Sequence, residues 1–264
     1  MLRLVRVLSH TFFISLHSGA LLYITSSFLY RFFQPEIVSL LYLLAAVGNI
    51  CLFLLAPRLL KYFGTTRLFF LFLLITLAGT LGLAFALTPL AAALSFLFYG
   101  SFLFMNYYCL DIFLEELSSD AHTGEIRGLY FTFLNAGIAL GPLVVALLAR
   151  GDSLERVYLA SAALLIFPIL ITLFSLRFKR KDSPGKGAHT LPFREWWRNV
   201  DVRRATLAKV VLEVFFGFMV IFVPIYLHST LGFSWAELGI IFTVALLPFV
   251  FFELPIGELA GHFF

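Results

Sequence analysis

Long runs of apolar residues alternate with short polar connections along the whole chain. Eight runs approach or exceed the roughly 20 residues that a helix needs to cross a hydrocarbon core of about 30 Å. Because the runs are continuously apolar and do not alternate with a period of two, they predict helices and not the strands of a closed barrel. The pattern predicts an all-α integral membrane protein with eight transmembrane helices, at residues 12–32, 36–56, 68–87, 90–112, 129–149, 157–177, 208–228 and 236–256.

The composition excludes soluble classes of protein. Hydrophobic residues make up 61% of the 264 residues and charged residues 13%, whereas soluble domains are roughly 45–50% apolar and about 25% charged. A water-soluble enzyme or a disordered protein would need more polar surface than this. The net charge of +4 is not spread along the chain, because ten of the nineteen basic residues lie between Arg177 and Lys209. This distribution indicates no nucleic-acid partner.

The basic residues also predict the orientation, since cytoplasmic loops carry an excess of lysine and arginine. If the N-terminus is cytoplasmic, sixteen basic residues lie inside and only Arg31, Arg150 and Arg156 lie outside. We therefore expect a multi-pass protein of the cell membrane (inner or plasma membrane), with both termini in the cytoplasm.

One long connection divides the chain into three parts. Residues 1–177 hold six spans, 178–207 form a cytoplasmic linker, and 208–264 hold the last two spans. The linker starts with a flexible basic stretch, and its second part predicts a short amphipathic helix lying on the membrane. Trp196 and Trp197 would then sit at headgroup level, while Arg203 and Arg204 would meet anionic lipid of the bilayer.

The first two spans resemble the last two at an offset of about 198–200 residues, which aligns Gly19 with Gly217 and Leu29 with Leu227. Because a six-span unit separates the copies, both have the same orientation in the membrane. Parallel repeats of this kind are one of the known plans of secondary transporters.

Three degenerate motifs then resemble those of the major facilitator superfamily. That family has a G-x-L-A-D-R-x-G-like turn after its second and eighth spans; here Pro57-Arg-Leu-Leu-Lys-Tyr-Phe-Gly64 and Gly257-Glu-Leu-Ala-Gly-His-Phe-Phe264 stand in those places. Lys61 and Gly261 replace the family's Asp. The fifth span contains Gly137, Gly141 and Pro142 in an arrangement similar to the G-x-x-x-G-P element of antiporter members.

The resemblance implies a secondary active transporter that moves a small-molecule solute by alternating access. It also implies coupling to an ion such as the proton, and the antiporter-like element favours an exporter or antiporter. Since the family normally has twelve spans, we expect a six-helix N-terminal half followed by the first two helices of a second half, that is, a fragment that stops after the eighth span.

Charged residues near the inner ends of the spans suggest a cytoplasmic gate. The resemblance implies a basic residue on span four facing the Asp of the first motif, and here the charges look exchanged. Two interpretations stay open: ion pairs that hold the inner side shut in the outward-open state, or a solvated flank of the loop. The residues concerned are Arg58, Lys61, Arg67, Asp111, Glu115, Glu116 and Arg127.

Polar residues inside apolar spans are costly, and each is a candidate for the substrate pathway. Any of them can equally serve to hold two helices together, since an interhelical hydrogen bond needs only a partner. The candidates are His17, Asn49, Ser95, Tyr99, Asn106, Asn135 and Tyr226.

Two carboxylates within spans, Glu213 and Glu253, are candidate coupling acids. Glu213 could bind a proton or a cationic substrate, or could form an ion pair with Lys209 one turn earlier. The abundance of Tyr and Phe hints at an amphipathic or apolar substrate.

Two other functions remain as alternatives to transport: a non-transporting assembly or regulatory membrane protein, and a membrane-embedded lipid or prenyl transferase. The transferase would need a second acidic cluster opposite Asp111 and Glu115 to hold magnesium, and the sequence has none. It also lacks a Gly-rich phosphate loop and metal-ligand spacing. We therefore expect no enzyme activity, no cofactor, no metal and no obligate protein partner.

Overall fold

The computed structural model describes residues 2–117, 123–149, 153–178 and 197–263. It is all-helical, as the apolar runs predict. The helices are α1 Leu2–Leu22, α2 Thr25–Tyr30, α3 Pro35–Phe63, α4 Thr65–Ala84, α5 Pro89–Glu115, α6 Thr123–Leu148, α7 Glu155–Phe178, α8 Val200–Ile225 and α9 Trp235–Phe263, with a π-helical turn at Tyr226–Thr230 after α8.

Seven of the described helices are long and apolar enough to cross a membrane. The chain is thus a multi-pass membrane protein, but the count of eight spans is not confirmed. The difference lies in the first predicted span, 12–32, which is divided into α1 and α2. The hydroxyl of Thr25 donates to the carbonyl of Leu21, 2.8 Å away, and such back-bonding by Thr often bends a helix.

The first helix is the most polar of the bundle and one of the most enclosed. His10, Thr11, Ser15, His17 and Ser18 are all buried, and α1 packs against α5, α6 and α7. A helix that is surrounded by protein can carry polar side chains, because those side chains find hydrogen-bond partners instead of lipid. This explains why α1 is less apolar than the helices around it.

Helices α3 to α7 run in alternate directions and α1 runs parallel to α4, so the starts of α1, α4 and α6 lie beside the ends of α3, α5 and α7. Ring contacts link these ends, for example Phe69 of α4 with Phe113 of α5 at a centroid distance of 5.6 Å. We call this end of the bundle the basic end, and the opposite end the distal end. The basic end carries Arg3, Arg6, Arg58, Lys61, Arg67 and Arg127.

Helices α8 and α9 extend further than the sequence analysis predicts. Helix α8 begins at Val200, inside the predicted linker, where Asn199 caps it by accepting from the backbone N–H groups of Asp201 and Val202. Helix α9 runs to Phe263, so the second motif is helical where a turn was expected. Residues 179–196, with Trp196 and most of the linker, lie outside the described residues.

Small residues set how closely the helices approach. A methyl group on Gly19 of α1 would lie 2.5 Å from the carbonyl oxygen of Ile138 on α6. Gly79 of α4 lies against the backbone of Tyr99 on α5, and Gly239 of α9 lies against Pro142 of α6. Such contacts bring helix backbones together in membranes, where apolar burial alone gives no drive for association.

Candidate functional site

A cavity of about 570 Å³ lies in the middle of the protein. Helices α1, α3, α5 and α6 form one side of it, and α8 and α9 form the other. Its volume is within the range of small-molecule sites, roughly 300–1,000 Å³. The wall is mostly aliphatic and aromatic, and its polar members are Ser18, Tyr23, Thr25, Tyr42, Asn49, Tyr99, Asn135 and Glu213.

Three of the seven predicted pathway residues therefore meet at this cavity: Asn49, Tyr99 and Asn135. Asn49 of α3 donates one amide hydrogen to the carbonyl of Ser101 on α5, 2.9 Å away. This bond fixes the side chain, and it leaves the second N–H group and the carbonyl oxygen of the amide to bond to other groups. The ring of Tyr99 lies edge-on to His17, with centroids 5.8 Å apart. The cavity thus offers amide and phenol groups on an apolar wall.

The other four predicted pathway residues do not line the cavity. His17 is completely buried and bonds to Ser161 of α7, with Nδ1 3.0 Å from the Ser161 carbonyl oxygen. Asn106 donates to Thr76 of α4 at 2.9 Å. Ser95 packs against Gly82 of α4, and Tyr226 is 54% exposed in the π-helical turn. The first three join helices, which is the alternative that the sequence left open.

A cluster of hydroxyl groups beside the cavity was missed by the sequence analysis. Ser18 lies 2.8 Å from the Tyr107 hydroxyl, which also donates to Ser15 at 3.2 Å. Nearer the distal end, Tyr158 donates to Thr25 at 3.3 Å. Ser15, Ser18 and Thr25 recur at intervals of three and seven along the first predicted span. That spacing places them on one helix face, and this signal could have found them.

Glu213 lies at the edge of the cavity in an ion pair with Lys209, with 2.6 Å between the charged atoms. Both side chains are more than half exposed, at 58% and 66%. Of the two interpretations for Glu213, the ion pair with Lys209 is therefore present in the structure. The side chain of Glu253 lies outside the described part of the structure.

The sequence profile of the Major Facilitator Superfamily matches residues 5–264, which is nearly the whole chain. The chain belongs to this superfamily. Its members are membrane transporters and not enzymes, so this chain is a membrane transporter. A comparison with curated proteins finds no match.

In this Major Facilitator Superfamily chain, the first motif is helical up to Phe63, and the turn to α4 is made by Gly64 alone. Gly64 has a φ of 75°, a value that side chains disfavour, which accounts for a glycine at this position. Arg58, Lys61 and Arg67 are exposed at the basic end. None of the three lies within 4.0 Å of Asp111, Glu115 or Glu116, all of which the structure describes.

Of the acids of span four, Asp111 lies beside α6 and not beside α3. Asp111 lies near Tyr130 and Arg127 of α6, within reach of electrostatic interaction. Tyr108 of α5 packs against α3, where its ring is 5.4 Å from that of Phe53. The expected contact between Lys61 and Asp111 is absent from this conformation.

The antiporter-like element of α6 forms the crossing with α1. Gly137 lies against Phe12, Ser15 and Leu16, and a side chain on Gly141 would overlap the backbone of Gly19 and Ala20. Pro142 contacts Gly239 of α9 on the other side of α6. In this structure the element joins three helices beside the cavity.

Proposed function

We propose that this transporter is a secondary active transporter that works by alternating access, with the central cavity as its substrate site. The supporting observation is the position of the cavity between two groups of helices, α1, α3, α5 and α6 on one side and α8 and α9 on the other. A site between two such groups can be exposed to either membrane face when one group rocks against the other.

The lining of the cavity favours an amphipathic organic solute. Aliphatic and aromatic side chains supply most of the wall, and Asn49, Asn135 and Tyr99 supply neutral hydrogen-bonding groups. Glu213 is the single ionisable carboxylate of the lining. A solute with an apolar body and hydroxyl, amide or amine groups would match this pattern.

Glu213 is also the proposed coupling group. Its ion pair with Lys209 lies at the edge of the cavity, where the carboxylate can exchange Lys209 for a proton or for a cationic group of the solute. Proton-coupled export or antiport accords with this chemistry and with the antiporter-like element Gly137, Gly141 and Pro142 of α6. An imposed pH gradient across proteoliposomes should therefore drive solute movement, and a Glu213→Gln variant should lose that response.

Leucine at both cavity amides, Asn49→Leu with Asn135→Leu, should raise the KM for transported solute by about two- to tenfold for each hydrogen bond lost. The measurement is solute exchange in proteoliposomes with a panel of neutral, cationic and anionic amphipathic solutes. Gln34→Leu is the matched control, because Gln34 is an exposed amide at the start of α3 whose side chain caps no backbone group. Equal KM values for the double variant and the control would refute the site.

The basic end is proposed to face the cytoplasm, with α1 and α2 together forming the eighth crossing. Both termini and the segment 178–207 are then cytoplasmic, where Arg203 and Arg204 can meet anionic lipid. Cysteines introduced at Gly185 and Gly232 into a variant without native cysteines should react with membrane-impermeant reagents from opposite sides. Labelling of both positions from the outside of intact cells would contradict this orientation.

A further inference from the structure

A second cavity, of about 540 Å³, opens at the basic end and is separate from the central one. It lies where the starts of α1 and α4 meet the ends of α5 and α7, and neither α8 nor α9 contributes to its lining. None of its lining residues also lines the central cavity. The transport site does not account for it.

Two arginines stand at the rim of this cavity. Arg3 and Arg6 are three residues apart on α1, so they share a face of the helix, and both line the cavity. Among the described residues, neither guanidinium lies within 4.0 Å of a carboxylate. Glu116 lines the same cavity without pairing to them, so two positive charges face one negative charge.

The wall beneath the rim is a fixed polar and apolar surface. His10 is held at both ring nitrogens: Nδ1 is 2.7 Å from the carbonyl oxygen of Arg6, and Nε2 is 3.0 Å from the hydroxyl of Thr172 on α7. Its ring also stacks on Phe69 of α4, with centroids 5.3 Å apart. These contacts tie α1 to α4 and α7 and keep the cavity open between them.

We propose that this cavity binds the phosphate-bearing headgroup of an anionic phospholipid through Arg3 and Arg6. Guanidinium groups bind phosphate oxygens in pairs and are weakly hydrated, which suits a site at the membrane surface. The apolar floor formed by Phe69 and its neighbours accommodates the first carbons of the acyl chains. Basic pockets between transmembrane helices on the cytoplasmic side are suited to such headgroups.

A double variant, Arg3→Gln with Arg6→Gln, tests the proposal by native mass spectrometry of the purified chain in detergent. The wild-type chain should bind phosphatidylglycerol more tightly than phosphatidylcholine, and the double variant should bind phosphatidylglycerol about tenfold more weakly or worse. The matched control is Arg31→Gln with Arg156→Gln, which removes the same charge at the distal end and should leave the affinity unchanged.

Three outcomes would overturn the proposal. One is a phosphatidylglycerol affinity of the double variant equal to that of the wild type, with circular dichroism showing that the variant is folded. A second is an equal loss of affinity in the distal control pair, which would indicate a general charge effect. The third is inorganic phosphate that binds as tightly as the lipid and displaces it, which would replace a lipid site with a free-phosphate site. Partial recovery of affinity in Arg3→Lys with Arg6→Lys would support it.

Discussion

Alanine at Gly141 should destabilise the protein by about 1–3 kcal/mol, the usual cost of forcing an extra methyl group into a packed contact. The added methyl group would overlap the backbone of Gly19 and Ala20, which cannot move aside as a flexible side chain can. The α1–α6 crossing would have to open, and α1 carries the hydroxyl cluster beside the cavity. The measurement is thermal unfolding of the purified chain in detergent.

Gly217→Ala is the matched control for Gly141→Ala. Gly217 lies within α8, and a methyl group there would meet no atom within 4 Å. Alanine is favoured over glycine by about 1 kcal/mol inside a helix, so both substitutions should stabilise the helix backbone by the same amount. The control should therefore unfold at the wild-type temperature or above it. Equal unfolding temperatures for the two variants would show that α1 and α6 do not cross closely at Gly141.

The spans were predictable because lipid demands long apolar helices, and seven of the eight predicted spans correspond to helices of the required length and character. The first predicted span, 12–32, is instead divided into α1 and α2, and its polar residues bond to partners on α5 and α7. Those partners, such as Ser161 for His17 and Tyr107 for Ser18, lie about ninety to one hundred and fifty positions away in the sequence. A hydropathy pattern carries no information on contacts at that distance.

The polar residues of span four show the same limit for the site. Ser95, Tyr99 and Asn106 are spaced by four and seven residues, which places them on one face of a helix. Their neighbours differ, however: Gly82 for Ser95, the cavity and His17 for Tyr99, and Thr76 for Asn106. The spacing predicts a common face, whereas the tertiary packing decides which member of that face meets the cavity.

At the basic end, measurements of stability and of transport should report two different contacts of Asp111. In this conformation Asp111 lies near Tyr130, which is only 2% exposed. We propose that Lys61 reaches the acids of α5 in another conformation and so acts as a gate. A contact made in one state biases the equilibrium only by its difference in energy between the states. It should therefore appear in transport and not in the stability of the state described.

Two double-mutant cycles separate these contacts. Asp111→Asn with Tyr130→Phe should show a coupling free energy of at least about 0.5 kcal/mol in thermal unfolding, as expected for neighbouring side chains that interact. Asp111→Asn with Lys61→Gln should show almost no coupling free energy in thermal unfolding, because the two residues do not touch.

The transport experiment tests the gate. Lys61→Glu should slow solute exchange, and combining it with Asp111→Lys or Glu115→Lys should restore the rate. If the single reversals leave exchange unchanged, or the combined effects are merely additive, Lys61 belongs to a solvated flank and the gate proposal fails.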